Sequence, residues 1–155
     1  MIRGFGLKGK VVILGIGNIM RGGDGIGSVL ARRLKNKLAF IVLDAGPSPE
    51  NYLGKIIEEK PDTIIIIDAV DFGGLPGEFK FLETNDIKTV NLFSTHNASI
   101  SLLINYLQSN LKVDIIVLII QPKSIALKDK LSPEAVKTLD RLENWFCANY
   151  AKGAH

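Results

Sequence analysis

Residues 11–27 read VVILGIGNIMRGGDGIG, and the parsing of this stretch decides the fold. An apolar run opens it, and residues 17–27 then carry five glycines together with Asn18 and Asp24. A buried strand followed by such a loop places Asn18 and Asp24 at the carboxyl edge of a sheet, where open α/β folds assemble their sites. Glycines there allow conformations and close approaches that a Cβ would forbid. Asp24 is the first candidate for chemistry.

Further aliphatic runs follow the first at residues 11–14. They are 40–43 (FIVL), 63–67 (TIIII) and 114–120 (DIIVLII). None alternates with polar residues, the mark of strands covered on both faces. Between them Ile26, Val29, Leu30, Leu34 and Leu38 recur at helical spacing, and Tyr52, Leu53, Ile56 and Ile57 do so more briefly. Residues 99–107 read as a further helix. Ser132-Pro133 supplies a capping serine and a first-turn proline for a last helix running past Trp145. Phe79 and Phe81 alternate with Lys80 and Leu82 after Pro76-Gly77, predicting a more exposed, antiparallel strand. The order β-α-β-α-β-β-α-β-α predicts an α/β fold, a three-layer α/β/α sandwich with a mostly parallel (mixed) central sheet. The 155 residues are expected to form a single domain, 1–155.

Composition narrows the function. Hydrophobic residues make up 46% and charged ones 23%, which is globular and not disordered. One cysteine, Cys147, excludes an internal disulfide framework and the usual four-ligand zinc sites, and points to an intracellular, reducing setting. A net charge of +3 from scattered lysines gives no footprint for nucleic acid. Arg3, Lys8 and Lys10 ahead of the first apolar run imitate a signal peptide, but glycines interrupt that run and it reads as a strand. No run approaches the ~20 apolar residues of a membrane span.

Each of the first three strands ends in a carboxylate region: Asp24 after the first, Asp44 closing the second, Asp68 closing the third. Buried carboxylates are costly unless paired, hydrogen-bonded or bound to a cation. Singly, each reads as a loop anchor accepting backbone N–H bonds; together on one rim they read as a site. Asp71, in Asp-Phe-Gly-Gly, reads as turn chemistry. His96, in STHN just ahead of the 99–107 helix, is expected near a helix N-terminus, where the macrodipole disfavours protonation. A neutral imidazole is what a metal needs; the bland alternative is a helix cap or a bond to a loop carbonyl. His155 ends the chain. Asp24, Asp68 and His96 make a mixed oxygen and nitrogen donor set suited to nickel, zinc, manganese or iron.

The competing reading is a Rossmann-like nucleotide- or cofactor-binding module. Gly15-Ile-Gly17 after a strand, with Asp44 ending the next, imitates the dinucleotide fingerprint, but the next required glycine is Met20. Neither a phosphate-cradling Gly-Lys-Ser nor Gly-Lys-Thr occurs. A serine nucleophile elbow is missing too, and Cys147 falls beside Trp145 and Phe146 in the last helix, where it is expected to pack.

At these residues the chain resembles the maturation endopeptidases of nickel–iron hydrogenases, especially the branch serving the formate-hydrogenlyase (hydrogenase 3) type of enzyme. The likeness covers residues 11–145. It is carried by Gly17-Asn18 with Gly22-Gly23-Asp24-Gly25, LDAGPSPEN at 43–51, IIDAVDFGGLPGE at 66–78, STHN at 94–97 and IIQP at 119–122. The resemblance implies a cytoplasmic α/β/α protease of the aspartyl type. It would remove a short C-terminal extension from the hydrogenase large-subunit precursor after nickel insertion. The implied metal-binding and catalytic positions are Asp24, Asp68 and His96. The nickel is implied to arrive with the substrate, and another divalent metal in the isolated enzyme stays open. The family's first loop usually holds two adjacent acidic residues; here the first is Gly23, and Asp24 matches the metal-binding second.

Overall fold

The computed structural model describes residues 6–89, 97–123 and 130–153. Five strands form one sheet: β1 (Val11–Ile16), β2 (Ile41–Gly46), β3 (Thr63–Ala69), β4 (Phe79–Glu83) and β5 (Asp114–Ile120). Their order is β2-β1-β3-β5-β4. All neighbours run parallel except β4, which pairs antiparallel with β5, Phe79 facing Ile120 and Glu83 facing Ile116. The expected exposed antiparallel strand is thus the edge strand β4. The helices are α1 (Ile26–Leu34), α2 (Leu53–Glu59), α3 (Thr84–Thr89), α4 (Asn97–Asn110) and α5 (Pro133–Tyr150).

Strand alternation divides the interior. Even-numbered Val12, Leu14, Ile64 and Ile66, with their β5 partners Ile115 and Val117, pack with Ile56 of α2 and with Ile100, Leu103 and Leu107 of α4. Odd-numbered Val11, Ile13, Ile65 and Ile67 pack with Ile26 and Leu30 of α1 and with Leu139 and Phe146 of α5. Helices therefore cover both faces, which makes the three-layer sandwich. Each fully buried Ile or Leu contributes roughly 1.5–3 kcal/mol, so the aliphatic runs of β1, β3 and β5 hold the centre of the fold. Arg33 of α1 with Asp140 (2.7 Å) and Lys37, just past α1, with Glu143 (2.6 Å) reach α5 at the surface, where such pairs add little.

The helix ends follow local chemistry. Ser132 Oγ accepts the Ala135 N–H at 3.1 Å and Pro133 opens α5, as expected. α1 stops at Leu34, sooner than the apolar spacing to Leu38 implies. Lys35 is extended and Asn36 takes a left-handed φ of 67°, a conformation that asparagine tolerates. Leu38 is still buried, bridged to Ala151 beyond the helix. Cys147 is half-buried in α5, next to Trp145 and Phe146, whose rings lie 4.9 Å apart. Among the described residues no helix is long and apolar enough to cross a membrane.

Candidate active site at the carboxyl edge of the sheet

Asp24 sits in a one-turn 3-10 helix, Gly22–Gly25, between β1 and α1. The loop closes on itself. Asn18 N–H donates to the Asp24 carbonyl (3.1 Å), Arg21 N–H to the Asn18 carbonyl (3.0 Å) and Asp24 N–H to the Arg21 carbonyl (3.0 Å). Asn18 Oδ1 accepts the Met20 N–H at 3.0 Å, and Gly17 N–H reaches across to the carbonyl of Gly46 at the end of β2. A Cβ on Gly17 would collide with the Asp24 carbonyl and stand 3.0 Å from Gly25 Cα. That glycine is what lets the turn press Asp24 down onto the edge, where it is 3% exposed.

Asp68 is the penultimate residue of β3 and is fully buried. Its Oδ1 accepts the Ala69 N–H at 2.9 Å. The residues two before and two after it, Ile66 and Val70, both belong to the core shared with α4, so Asp68 lies on the α4 side of the sheet. α4 opens at Asn97 and ends three residues before β5, so its first turn stands at the same carboxyl edge. β1 and β3 are neighbours, and the start of α1 rests on both: a Cβ on Gly27 would press into the carbonyl oxygens of Ile16 and Ile67. Asp24, in the turn that follows β1, and Asp68, near the end of β3, thus share one edge. His96, like His155, lies outside the described residues. Among the described residues no group of three His, Cys, Asp or Glu is arranged to hold a metal ion.

Asp44 takes the bland role. It accepts hydrogen bonds from Ser28 Oγ, Arg32 Nε (2.6 Å) and Gly46 N–H (3.1 Å). Burial alone would push its carboxyl up, but the bonds from Ser28, Arg32 and Gly46 outweigh that and hold it below the usual range. Asp44 occupies the place where a dinucleotide fingerprint puts its ribose-binding acid. Here both carboxylate oxygens are committed within the protein, which removes the main support for a nucleotide module. Asp71 is the turn residue expected, its Oδ1 accepting the Gly73 N–H at 3.0 Å.

The residue that sequence reasoning passed over is Gln121, which follows β5. It is 7% exposed, and its carboxamide engages the loop after Asp68. The available signal was a lone amide closing an aliphatic strand, a group too costly to bury without partners. The edge also carries apolar side chains in the open: Ile19, Met20 and Leu75, the last 71% exposed. A cavity of about 440 Å³ lies elsewhere, at the amino edge where β3 and β5 begin, lined by Thr63, Glu83 and Asp114 among others.

Two buried carboxylates beside an apolar rim can ligate a divalent cation through oxygen or take a proton from water. Comparison with known proteins adds family context. The family described as hydrogenase maturation protease matches residues 26–149, a span that holds Asp68 and His96 and starts just after Asp24. The hydrogenase 3 maturation protease of Escherichia coli K12 is 35% identical over 140 residues, covering 86% of this chain and 89% of that protein. A putative hydrogenase maturation protease of Methanocaldococcus jannaschii is 32% identical over 145 residues, covering 87% and 85%. The crystal structure of a NiFe hydrogenase maturation protease from Thermococcus kodakarensis superimposes with a TM-score of 0.80 at 34% identity, covering 90% of each chain.

Proposed function

Since this chain belongs to the hydrogenase maturation protease family and is therefore an endopeptidase of hydrogenase processing, we propose that it trims the large-subunit precursor of a nickel–iron hydrogenase. In this reading it removes a C-terminal extension once nickel is in place. The nickel belongs to the substrate, and Asp24, Asp68 and His96 engage it. The observation that carries the reading is the pair of buried carboxylates, Asp24 and Asp68, on one edge over adjacent strands. Oxygen donors of this kind suit a divalent ion such as nickel.

Engagement of the metal would turn a floppy tail into a positioned substrate. Holding reacting groups in place removes much of the entropic barrier, by up to roughly 7–11 kcal/mol in favourable cases. In an aspartyl-type mechanism one carboxylate of the edge takes the proton from the water that attacks the scissile carbonyl. The open Ile19, Met20 and Leu75 around the carboxylates suit a macromolecular partner. A cytoplasmic setting is part of the proposal, and the lone Cys147 is compatible with it.

The test is incubation with a nickel-loaded precursor, followed by mass spectrometry of its tail. Loss of a discrete C-terminal peptide, absent with nickel-free precursor, is the expected result. Equal cleavage of both precursors would reject metal-guided recognition, and no cleavage of either would reject this substrate.

A further inference from the structure

We propose that Gln121 is a positioning residue for the proteolytic reaction, its buried carboxamide holding loop 70–78 as a preformed wall beside Asp68 against which the precursor's tail is laid. The inference rests on the reading of Asp68 as part of the site.

The carboxamide of Gln121 has its hydrogen-bonding capacity filled. Oε1 accepts from Phe72 N–H at 2.9 Å and Gly74 N–H at 3.1 Å. Nε2 donates to Asp71 Oδ1 at 3.1 Å and to the Pro122 carbonyl at 3.3 Å. Two donors and two acceptor sites are all that a glutamine side chain offers. The Gln121 backbone closes the far end of the loop: Gly77 N–H donates to its carbonyl (2.9 Å), and its own N–H donates to Glu78 (2.7 Å). Val70 N–H is held by Ile120, and Thr138 Oγ1 of α5 donates to the Gly77 carbonyl at 2.6 Å.

This degree of order is unusual for the composition. Gly73, Gly74, Pro76 and Gly77 stand within five residues, and glycine-rich backbone loses much conformational freedom when fixed. Sheet pairing does not account for it. β4 and β5 are already in register from Phe79↔Ile120 onward, and the hydrogen bonds of the carboxamide go to Asp71, Phe72, Gly74 and Pro122. What the amide secures is a rigid loop that starts just after Asp68 and displays Leu75 in the open. A protease acting on a flexible tail needs a surface of fixed geometry on which to lay it.

The experiment compares Gln121→Met, Gln121→Glu and the double change Asp71→Asn with Gln121→Glu, using the full chain and nickel-loaded precursor. The methionine keeps length and loses all amide bonds. The glutamate keeps the acceptors, loses the donor and sets a second carboxylate against Asp71. Asp71→Asn then restores a donor facing the new carboxylate.

Assayed well below each variant's melting point, both single variants are expected to raise KM about tenfold, equivalent to ~1.4 kcal/mol. Their kcat should stay within about threefold, and the double variant should return KM toward the parent. Should the methionine variant fail to fold, the glutamate and double variants carry the test. A lower melting point and lower kcat at unchanged KM would mark a merely structural residue and overturn the proposal. Asp68→Asn serves as the reference. A dead Asp68→Asn beside a normal KM in the Gln121 variants overturns the proposal and spares the site. Normal processing by Asp68→Asn overturns the site, and the proposal with it.

Discussion

Gly27 stands so close to Ile67 that a Cβ on it would drive into the Ile67 carbonyl oxygen and sit 3.0 Å from the carbonyl carbon. Ile67 precedes Asp68, and Gly27 follows the turn that holds Asp24. This one contact therefore sets the start of α1 against the end of β3 and fixes how the two carboxylate-bearing segments meet. Gly27→Ala should cost about 1–3 kcal/mol, the usual penalty for overfilling a packed contact, and should slow processing as well. Gly54→Ala is the control. Gly54 is exposed in α2 with open space around it, so alanine there should stabilise by roughly 0.5–1 kcal/mol. Denaturant melts of the pair check both signs, and a Gly27→Ala protein as stable as its parent would refute the close approach.

Asp68→Asn keeps the shape of the side chain and an oxygen for the Ala69 N–H. What it removes is the negative charge. Processing should fall by roughly 10²–10⁴-fold, the range for loss of a group that moves a proton in the transition state. The circular dichroism spectrum should not change. Asp24→Asn and His96→Ala are expected to behave alike, each read out as retained tail mass on the precursor. Near-normal cleavage by any one of them removes that residue from the site.

How far the sequence carried this picture depends on which force decides each element. Buried strands declare themselves, because a residue covered on both faces must be apolar. Residues 114–120 became β5 with the bounds expected, and residues 63–67 grew by only Asp68 and Ala69 into β3. α3, with the sequence TNDIKT, has no apolar stripe to read. The turn at Asn36 is a backbone matter that apolar spacing to Leu38 does not reveal. Asp24 and Asp68 were legible as strand-end acids, yet nothing in their local sequence distinguished them from Asp44. That distinction needed Ser28 and Arg32, two helical residues that fold back onto β2. Gln121 was harder still, since its partners lie some fifty positions away in the chain.

Asp44 gives a prediction in pH. Its carboxyl is held below the usual range in the folded protein, while in the unfolded chain it titrates near ~3.9. The folded state therefore binds fewer protons around that pH, and stability rises with pH across the interval. Its contribution is complete above the unfolded value and is lost as pH falls through the depressed folded one. Melts at pH 7 and near pH 3 should show a smaller acid-induced loss in Asp44→Asn than in the parent. Equal losses in the two proteins would mean that the bonds from Ser28 and Arg32 do not persist in solution.

The last prediction separates stability from activity at α5. Ser132 Oγ accepts the Ala135 N–H and satisfies one of the donors left over at the helix start. Ser132→Ala should cost about 1 kcal/mol, whereas Ser132→Gly, which leaves that end open to water, should cost only a few tenths. For a chain of this size 1 kcal/mol corresponds to a fall of roughly 2–4 °C in Tm. Because the hydrogen bond Ser132 accepts stays within the first turn of α5, processing well below Tm should be unchanged in both variants. A larger loss in glycine than in alanine would show that Ser132 acts through packing or backbone restriction and not as a cap.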